Sequence, residues 1–256
     1  MSILDSIISG VREDLAARRE SLSKLNEMIL VASPPKKPNF PLGQMSVIAE
    51  VKRSSPSKGD LAQIADPAKL AEQYQTAGAS AISVLTEQRR FKGSLVDLTA
   101  VRNAVELPIL RKDFMVDEYQ FFEARAYGAD LVLLIVAALS KSQLRDYLSL
   151  TEELGMSALV EIHTLDELED AMAIEPKIIG VNARNLKTLE VDINLFDELI
   201  PRIPSELVRV AESGIANRSQ VVAAERAGAN VILVGEALVK AGDPITGMAN
   251  LLGHIS

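Results

Sequence analysis

What most constrains this chain is a regular alternation that begins near Ser46. Short β-branched and aliphatic runs recur at residues 47–52, 81–87, 108–113, 130–137, 158–163, 178–183, 208–214 and 231–235. Between them lie stretches with apolar residues at helical spacing, among them 67–77, 95–105, 118–127, 141–154, 165–174 and 219–227. Nearly unbroken apolar strands separated by amphipathic helices indicate a parallel sheet with helices covering it. A repeated joint supports the pattern: Gly78-Ala79, Gly128-Ala129 and Gly228-Ala229 each stand between a helical stretch and an apolar run. A left-handed helix stop followed by a strand requires such a pair. Eight strand–helix units predict an α/β fold of the (β/α)8 TIM barrel type. The alternative is an open doubly wound sheet, which usually carries a glycine-rich nucleotide loop after an early strand. Ser54-Ser55-Pro56-Ser57-Lys58-Gly59 is neither a dinucleotide fingerprint nor a P-loop.

Ahead of the repeat, residues 1–30 read as one helix, with Ile3, Leu4, Ile7, Ile8, Val11 and Leu15 on a common face. Pro34, Pro35, Pro38 and Pro41 then forbid its continuation. The whole chain, 1–256, is thus expected to be a single barrel domain, with 1–45 as an N-terminal helical extension and Pro-rich connector. Apolar residues make up 48%, enough for an extensive core. The longest uncharged apolar run has nine residues, 131–139, far short of the ~18 of a membrane span. The charge-rich first twenty residues do not resemble a secretion signal. Zero cysteines fit the cytoplasm and leave no thiolate for a metal, while two histidines offer little for zinc or a Ser-His triad. A net charge of −8 argues against nucleic acid as a partner, although a local basic cluster could still hold a small anion.

In such a barrel, chemistry belongs at the C-terminal strand ends. The first strand ends in Glu50 and Lys52, the second in Glu87, the third in Lys112 and Asp113, the fifth in Glu161 and His163, the sixth in Asn182 and Arg184, and the seventh in Glu212 and Ser213. The fourth alone stays apolar, with Leu133, Leu134, Ile135 and Val136. Such a ring suits a ligand that is part charged and part aromatic. Glu50/Lys52, Glu161/His163 and Asn182/Arg184 share faces by i, i+2 parity. Glu50 and Lys52 could form an exposed ion pair on an edge strand or flank a cavity mouth, and His163 could simply cap its strand. Glu87 and Asp113 suit an ordinary strand-to-loop transition. The small residues of Ser213-Gly214 and Gly235, at the last two strands, suit backbone binding of a phosphate.

AEVKRSSPSKG (49–59), LTEQRRFKGS (85–94), LRKDF (110–114), LVEIHT (159–164), GVNARNL (180–186), AESGI (211–215) and VGEAL (234–238) together resemble indole-3-glycerol-phosphate synthases. The similarity runs in order through all eight units. It implies closure of the indole ring in tryptophan biosynthesis, a carboxy-lyase reaction on 1-(2-carboxyphenylamino)-1-deoxyribulose 5-phosphate that releases CO2 and water. No cofactor and no metal are implied. The resemblance assigns Lys112 as general acid and Glu161 as base or relay in dehydration, with Glu50 and Lys52 assisting. It places Ser55, Pro56, Phe91, Phe114, Asn182, Arg184, Glu212, Ser213, Gly214, Gly235 and Glu236 in substrate binding. Phe91 and Phe114 would pack on the aromatic ring, and Glu236 would offer its backbone N–H, with its carboxylate turned from the phosphate. Lys52 would lower the pKa of Lys112 unless Glu50 and Glu161 cancel the effect. The loop 54–59 is expected to be mobile and to close over the ligand, burying Lys58. Rival readings are a lysine Schiff-base aldolase, another sugar-phosphate barrel enzyme, and a silent phosphometabolite binder. The partner is expected to be a phosphorylated small molecule, and the chain a monomer.

Overall fold

In the computed structural model, which describes residues 2–41, 43–57, 59–61 and 64–253, the eight apolar runs close into one parallel barrel. Its strands are β1 (Ser46–Val51), β2 (Ala81–Leu85), β3 (Ile109–Lys112), β4 (Leu131–Ile135), β5 (Ser157–Ile162), β6 (Ile178–Asn182), β7 (Val208–Glu212) and β8 (Val231–Val234). Each pairs with its neighbours in sequence, and β1 returns to β8 with Ser46 opposite Val231, which rules out the open sheet. Strand parity divides the core in two. Val47, Ala49, Ile82, Val84, Val132 and Leu134 face the surrounding helices. Ile48, Leu110, Leu131, Leu133, Leu159, Val210 and Leu233 fill the barrel interior. Only Leu133 and Ile135 of β4 can therefore form the apolar wall expected there. Leu134 and Val136 point the other way.

The glycine joints behave as the pattern demands, since Gly78, Gly128 and Gly228 all have left-handed φ, at 91°, 89° and 106°. The N-terminal segment departs from expectation. Two helices, α1 (Ile3–Arg18) and α2 (Leu22–Val31), replace the single one. Ser21 caps the second by accepting the Lys24 N–H, and the break turns the chain toward the loop after β3. There Arg19 pairs with Asp117 at 3.0 Å, and the Glu20 N–H donates to the Tyr119 hydroxyl at 2.9 Å. Helical periodicity cannot report such a tertiary reason to stop.

Residues 33–41 of the connector cross the N-terminal end of the barrel. The Lys36 N–H donates to Asp130 at 2.7 Å, Lys37 reaches the Gly155 carbonyl at 2.9 Å, and Phe40 is buried among interior residues. Around the barrel run α3 (Pro67–Thr76), α4 (Leu95–Ala104), α5 (Tyr119–Ala126), α6 (Lys141–Glu153), α7 (Leu165–Met172), α8 (Leu195–Leu199), α9 (Arg218–Ala227), α10 (Glu236–Lys240) and α11 (Pro244–Leu252). Helices α8 and α10, of five residues each, are too short to show a period. No described helix is long and apolar enough to cross a membrane.

Candidate active site

Inward parity carries Glu50, Lys112, Glu161, Asn182 and Glu212 to one end of the barrel, where they line a cavity of about 830 Å³. All the residues to which the resemblance assigns a role lie on its wall: Lys52, Ser55, Pro56, Phe91, Phe114, Arg184, Ser213, Gly214, Gly235 and Glu236 complete the set. Glu87 does not. Its carboxylate accepts the N–H groups of Arg89, Arg90 and Phe91, and so shapes the loop that presents Phe91. Asp113 is likewise engaged within the scaffold, accepting from Thr86 at 2.6 Å and Arg111 at 3.0 Å.

Lys112 is the electrostatic centre. Its Nζ donates to Glu161 Oε2 at 3.0 Å and lies 3.3 Å from Glu212 Oε2. Burial disfavours its charge, but the carboxylates of Glu161, Glu212 and Glu50 outweigh burial and hold its pKa above the usual lysine range. The cancellation that the sequence allowed for is what happens: Glu161 and Glu50, joined by Glu212, outweigh any lowering by Lys52. For the ion pair of Glu50 and Lys52 the exposed edge-strand reading fails, because β1 is paired on both sides and Glu50 is buried; the pair sits on the cavity wall.

The two glutamates beside Lys112 are pushed apart. Burial would raise Glu161, but Lys112 and His163 overcome it and keep the carboxylate well below its usual range. Glu212 is raised, chiefly by burial, with the Glu161 charge adding to it beyond what Lys112 can offset. Neither Glu212 oxygen has a hydrogen-bond partner among the described residues. The buried Glu212 carboxyl group, 3.3 Å from the ammonium, thus belongs to one charge cluster with Lys112 and Glu161. His163 is more than a strand cap. Its ring lies between Glu161 and Glu167.

Elsewhere on the wall Phe91 and Phe114 stand 6.3 Å apart between ring centroids, inclined by 41°. Leu133, Ile135 and Ile7 of α1 extend this apolar wall. Arg89 ties the Phe91 loop to α1 through Glu13 at 2.8 Å and Asp14 at 2.7 Å. The first loop folds as a short antiparallel ladder, Ser54–Ser55 against Gly59–Asp60. Ser57 of that loop accepts a hydrogen bond from Arg184 at 2.9 Å, so the β1 and β6 loops meet over the cavity. Lys58 lies outside the described residues. At the far end Ser213 and Gly214 both adopt left-handed φ, 66° and 77°, which exposes successive backbone amides as an anion nest can. The Glu236 carboxylate is engaged by Lys240 one helical turn along, at 2.6 Å. Among the described residues no group of three His, Cys, Asp or Glu is placed to hold a metal.

One position in the wall of the barrel carries no side chain and left no signal beyond its place in a motif. A Cβ on Gly180 would lie 2.0 Å from Glu212 Oε1 and 3.1 Å from the Leu159 side chain. The glycine makes the slot in which the Glu212 carboxylate lies beside Lys112. Gly180→Ala is expected to fold, to displace that carboxylate, and to lower kcat by about 10²-fold, the scale of an ångström-sized misplacement. Steady-state kinetics with a thermal melt checks this, and an unchanged kcat would remove Glu212 from the reacting constellation.

Comparison with known proteins agrees with the geometry. The indole-3-glycerol phosphate synthase family pattern matches residues 4–251. The indole-3-glycerol phosphate synthase of Arthrobacter sp. (strain FB24) is 57% identical over 253 residues, covering 95% of this chain and 93% of its own length. Those of Rhodococcus opacus (strain B4) and Mycolicibacterium smegmatis (strain ATCC 700084 / mc(2)155) are each 54% identical, covering 98% of this chain and 95% and 94% of their own. Among solved structures, 3-hexulose-6-phosphate synthase superposes with a TM-score of 0.64 over 83% of this chain and all of that one, at 17% identity, which speaks to the fold alone. With a matching pattern across nearly its full length and relatives above half identity, this chain belongs to the indole-3-glycerol phosphate synthase family.

Proposed function

We propose that this chain closes the indole ring of 1-(2-carboxyphenylamino)-1-deoxyribulose 5-phosphate, releasing CO2 and water to form indole-3-glycerol phosphate, a step of tryptophan biosynthesis. The observation that carries the reading is the Lys112 ammonium, 3.0 Å from Glu161 and 3.3 Å from Glu212, in a cavity with an aromatic wall on one side and an amide-lined loop on the other. In this reading the anthranilate ring packs against Phe91 and Phe114, and the phosphate lies on the backbone at Ser213, Gly214, Gly235 and Glu236. Asn182, Arg184, Ser55 and Pro56 orient the carboxylate and the sugar hydroxyls, with Lys52 steadying the anionic groups.

The chemistry asks for a proton at one place and a base at another. As the aromatic carbon attacks the ketone, charge grows on the carbonyl oxygen; Lys112 donates its proton there. Loss of CO2 restores the electrons that the attack borrowed from the ring. The hydroxyl then departs as water, taking up one proton as the neighbouring carbon loses another; Glu161 accepts the proton from carbon and can pass it to the leaving oxygen. A high pKa keeps Lys112 protonated at neutral pH, so the acid is always loaded. Glu50 holds Lys52, and Glu212 lies where it can bond a substrate hydroxyl as its partner to Lys112 lets go.

Incubating the purified protein with the carboxyphenylamino-deoxyribulose phosphate should produce indole fluorescence. Folded protein that gives none would overturn the reading. Borohydride added with substrate should trap no lysine adduct, since a covalent adduct at Lys112 would favour the aldolase alternative. The same reading takes residues 1–256 as one functional unit, monomeric and cytoplasmic, with 1–45 serving as a strap and rim of the site.

A further inference from the structure

His163 stands two residues beyond Glu161, just past the end of β5, yet it is not on the cavity wall. Its ring is wedged between two carboxylates. Nδ1 lies 3.0 Å from Glu167 Oε2 and Nε2 lies 3.3 Å from Glu161 Oε1, with the side chain only 10% exposed. Glu167 is itself fixed. Its N–H donates to Thr164, the N-cap of α7, and its Oε2 also accepts the His163 backbone N–H at 2.7 Å. That oxygen is thus an acceptor, as a carboxylate is.

Either neutral tautomer of this ring would point a nitrogen lone pair at a carboxylate oxygen. With the proton on Nδ1, the bare Nε2 faces Glu161; with it on Nε2, the bare Nδ1 faces Glu167. Only the doubly protonated ring presents a donor to both. The Nε2 contact is within ion-pair distance of the Glu161 carboxylate. The groups facing the ring are Glu161 from its own strand and Glu167 from α7. Beyond Glu161 stand Lys112 of β3 and Glu212 of β7.

We propose that His163, clamped by Glu167, is a positioning residue for the ring-closure reaction: it holds the Glu161 carboxylate from behind and keeps it anionic, so that the Lys112 proton goes to substrate. The two oxygens of Glu161 are divided, Oε1 to the imidazolium and Oε2 to the ammonium. When Lys112 releases its proton, Glu161 loses one cation but keeps the other. It therefore neither swings away nor takes the proton meant for the carbonyl oxygen. The two carboxylates around the ring also raise the imidazole, against its burial, to about 9, in keeping with a ring charged at neutral pH.

This inference rests on the proposed reaction, and its test has an arm that does not. With two histidines in the chain, nitrogen-15 spectra of the intact protein resolve His163 by its absence from a His163→Gln variant. The expected result is an imidazolium signal through pH 7, moved to lower pH by Glu167→Gln; a neutral ring at pH 7 would overturn the proposal whatever the enzyme does. In kinetics, His163→Phe and His163→Gln should both lose kcat by on the order of tenfold to a hundredfold, the range found when a partner that orients a reacting ligand is removed, with KM little changed. Their acid limbs should move to higher pH as Glu161 gains basicity. Glutamine keeps a donor of similar size without the charge, so a Gln variant with full kcat would show a merely structural contact and overturn the proposal. A parent protein without turnover would remove the reaction while the spectra still judge the clamp.

Discussion

Lys112→Ala is expected to lower kcat by about 10²- to 10⁴-fold, the contribution of a positioned general acid, while substrate affinity largely survives. Two effects combine. The proton donor disappears, and the carboxylates of Glu161 and Glu212, both about 1% exposed, are left facing each other without the cation between them. Like charges in so dry a place do not both persist, and Glu212, already raised by burial and by its neighbour, is the one that takes up a proton, while Glu161 loses the partner of its Oε2. Because both consequences fall on the reacting groups and not on Phe91, Phe114 or the amides at Gly214, binding and turnover should separate. Titration with substrate or product, together with single-turnover rates, checks the division. If kcat holds and only KM rises, Lys112 serves ground-state binding and the acid must be sought elsewhere.

The second large effect concerns stability. Arg111 is fully buried one residue before Lys112, on the outward face of β3. It pairs with Glu123 at 2.8 Å and Asp113 at 3.0 Å, and donates to the Gln120 carbonyl at 3.0 Å and Thr86 at 3.1 Å. Arg18 of α1 holds the other side of Glu123 at 2.9 Å. Burial opposes the Glu123 charge, but Arg111 and Arg18 together hold its pKa below the usual range. Arg111→Met would keep the stem and remove the charge, leaving two buried carboxylates short of their cation. A broken buried ion pair costs about 3–5 kcal/mol. For a chain of this size that is on the order of 10 °C in Tm. Calorimetry of the single variant, and of a double variant with Glu123→Leu, checks the cause. The double variant should recover part of the loss, and a single variant that melts like the parent would deny the network its role.

Much of this architecture was legible before any coordinates. Apolar runs and the Gly-Ala joints carried the closed barrel, because a parallel strand buried on both faces must be apolar and must be entered through a turn that only glycine makes easily. Strand parity carried Glu50, Lys112, Glu161, Asn182 and Glu212 to a common cavity, since side-chain direction in a strand is set by counting. What escaped depended on distance across the fold. Gly180 is informative only when Glu212 is seen in the space above it. The sign of the Lys112 shift required knowing that three carboxylates, and not Lys52, face it most closely. The break between α1 and α2 answers to Asp117 and Tyr119, about a hundred residues away, and His163 gains meaning only from the two glutamates around its ring.

Closure of the barrel between Ser46 and Val231 also bears on how the protein is made. A ribosome delivers β1 first and β8 last, so the first strand waits for almost the whole chain before its second neighbour exists. Until then the nascent sheet has an open edge beside β1, of the kind that recruits other chains. Glu50 and Lys112 sit on strands made early, but Glu212 arrives with β7. The ammonium that ends up between two acids thus spends most of synthesis with an incomplete set of counter-charges, and this cluster is among the last parts of the molecule to become electrically whole.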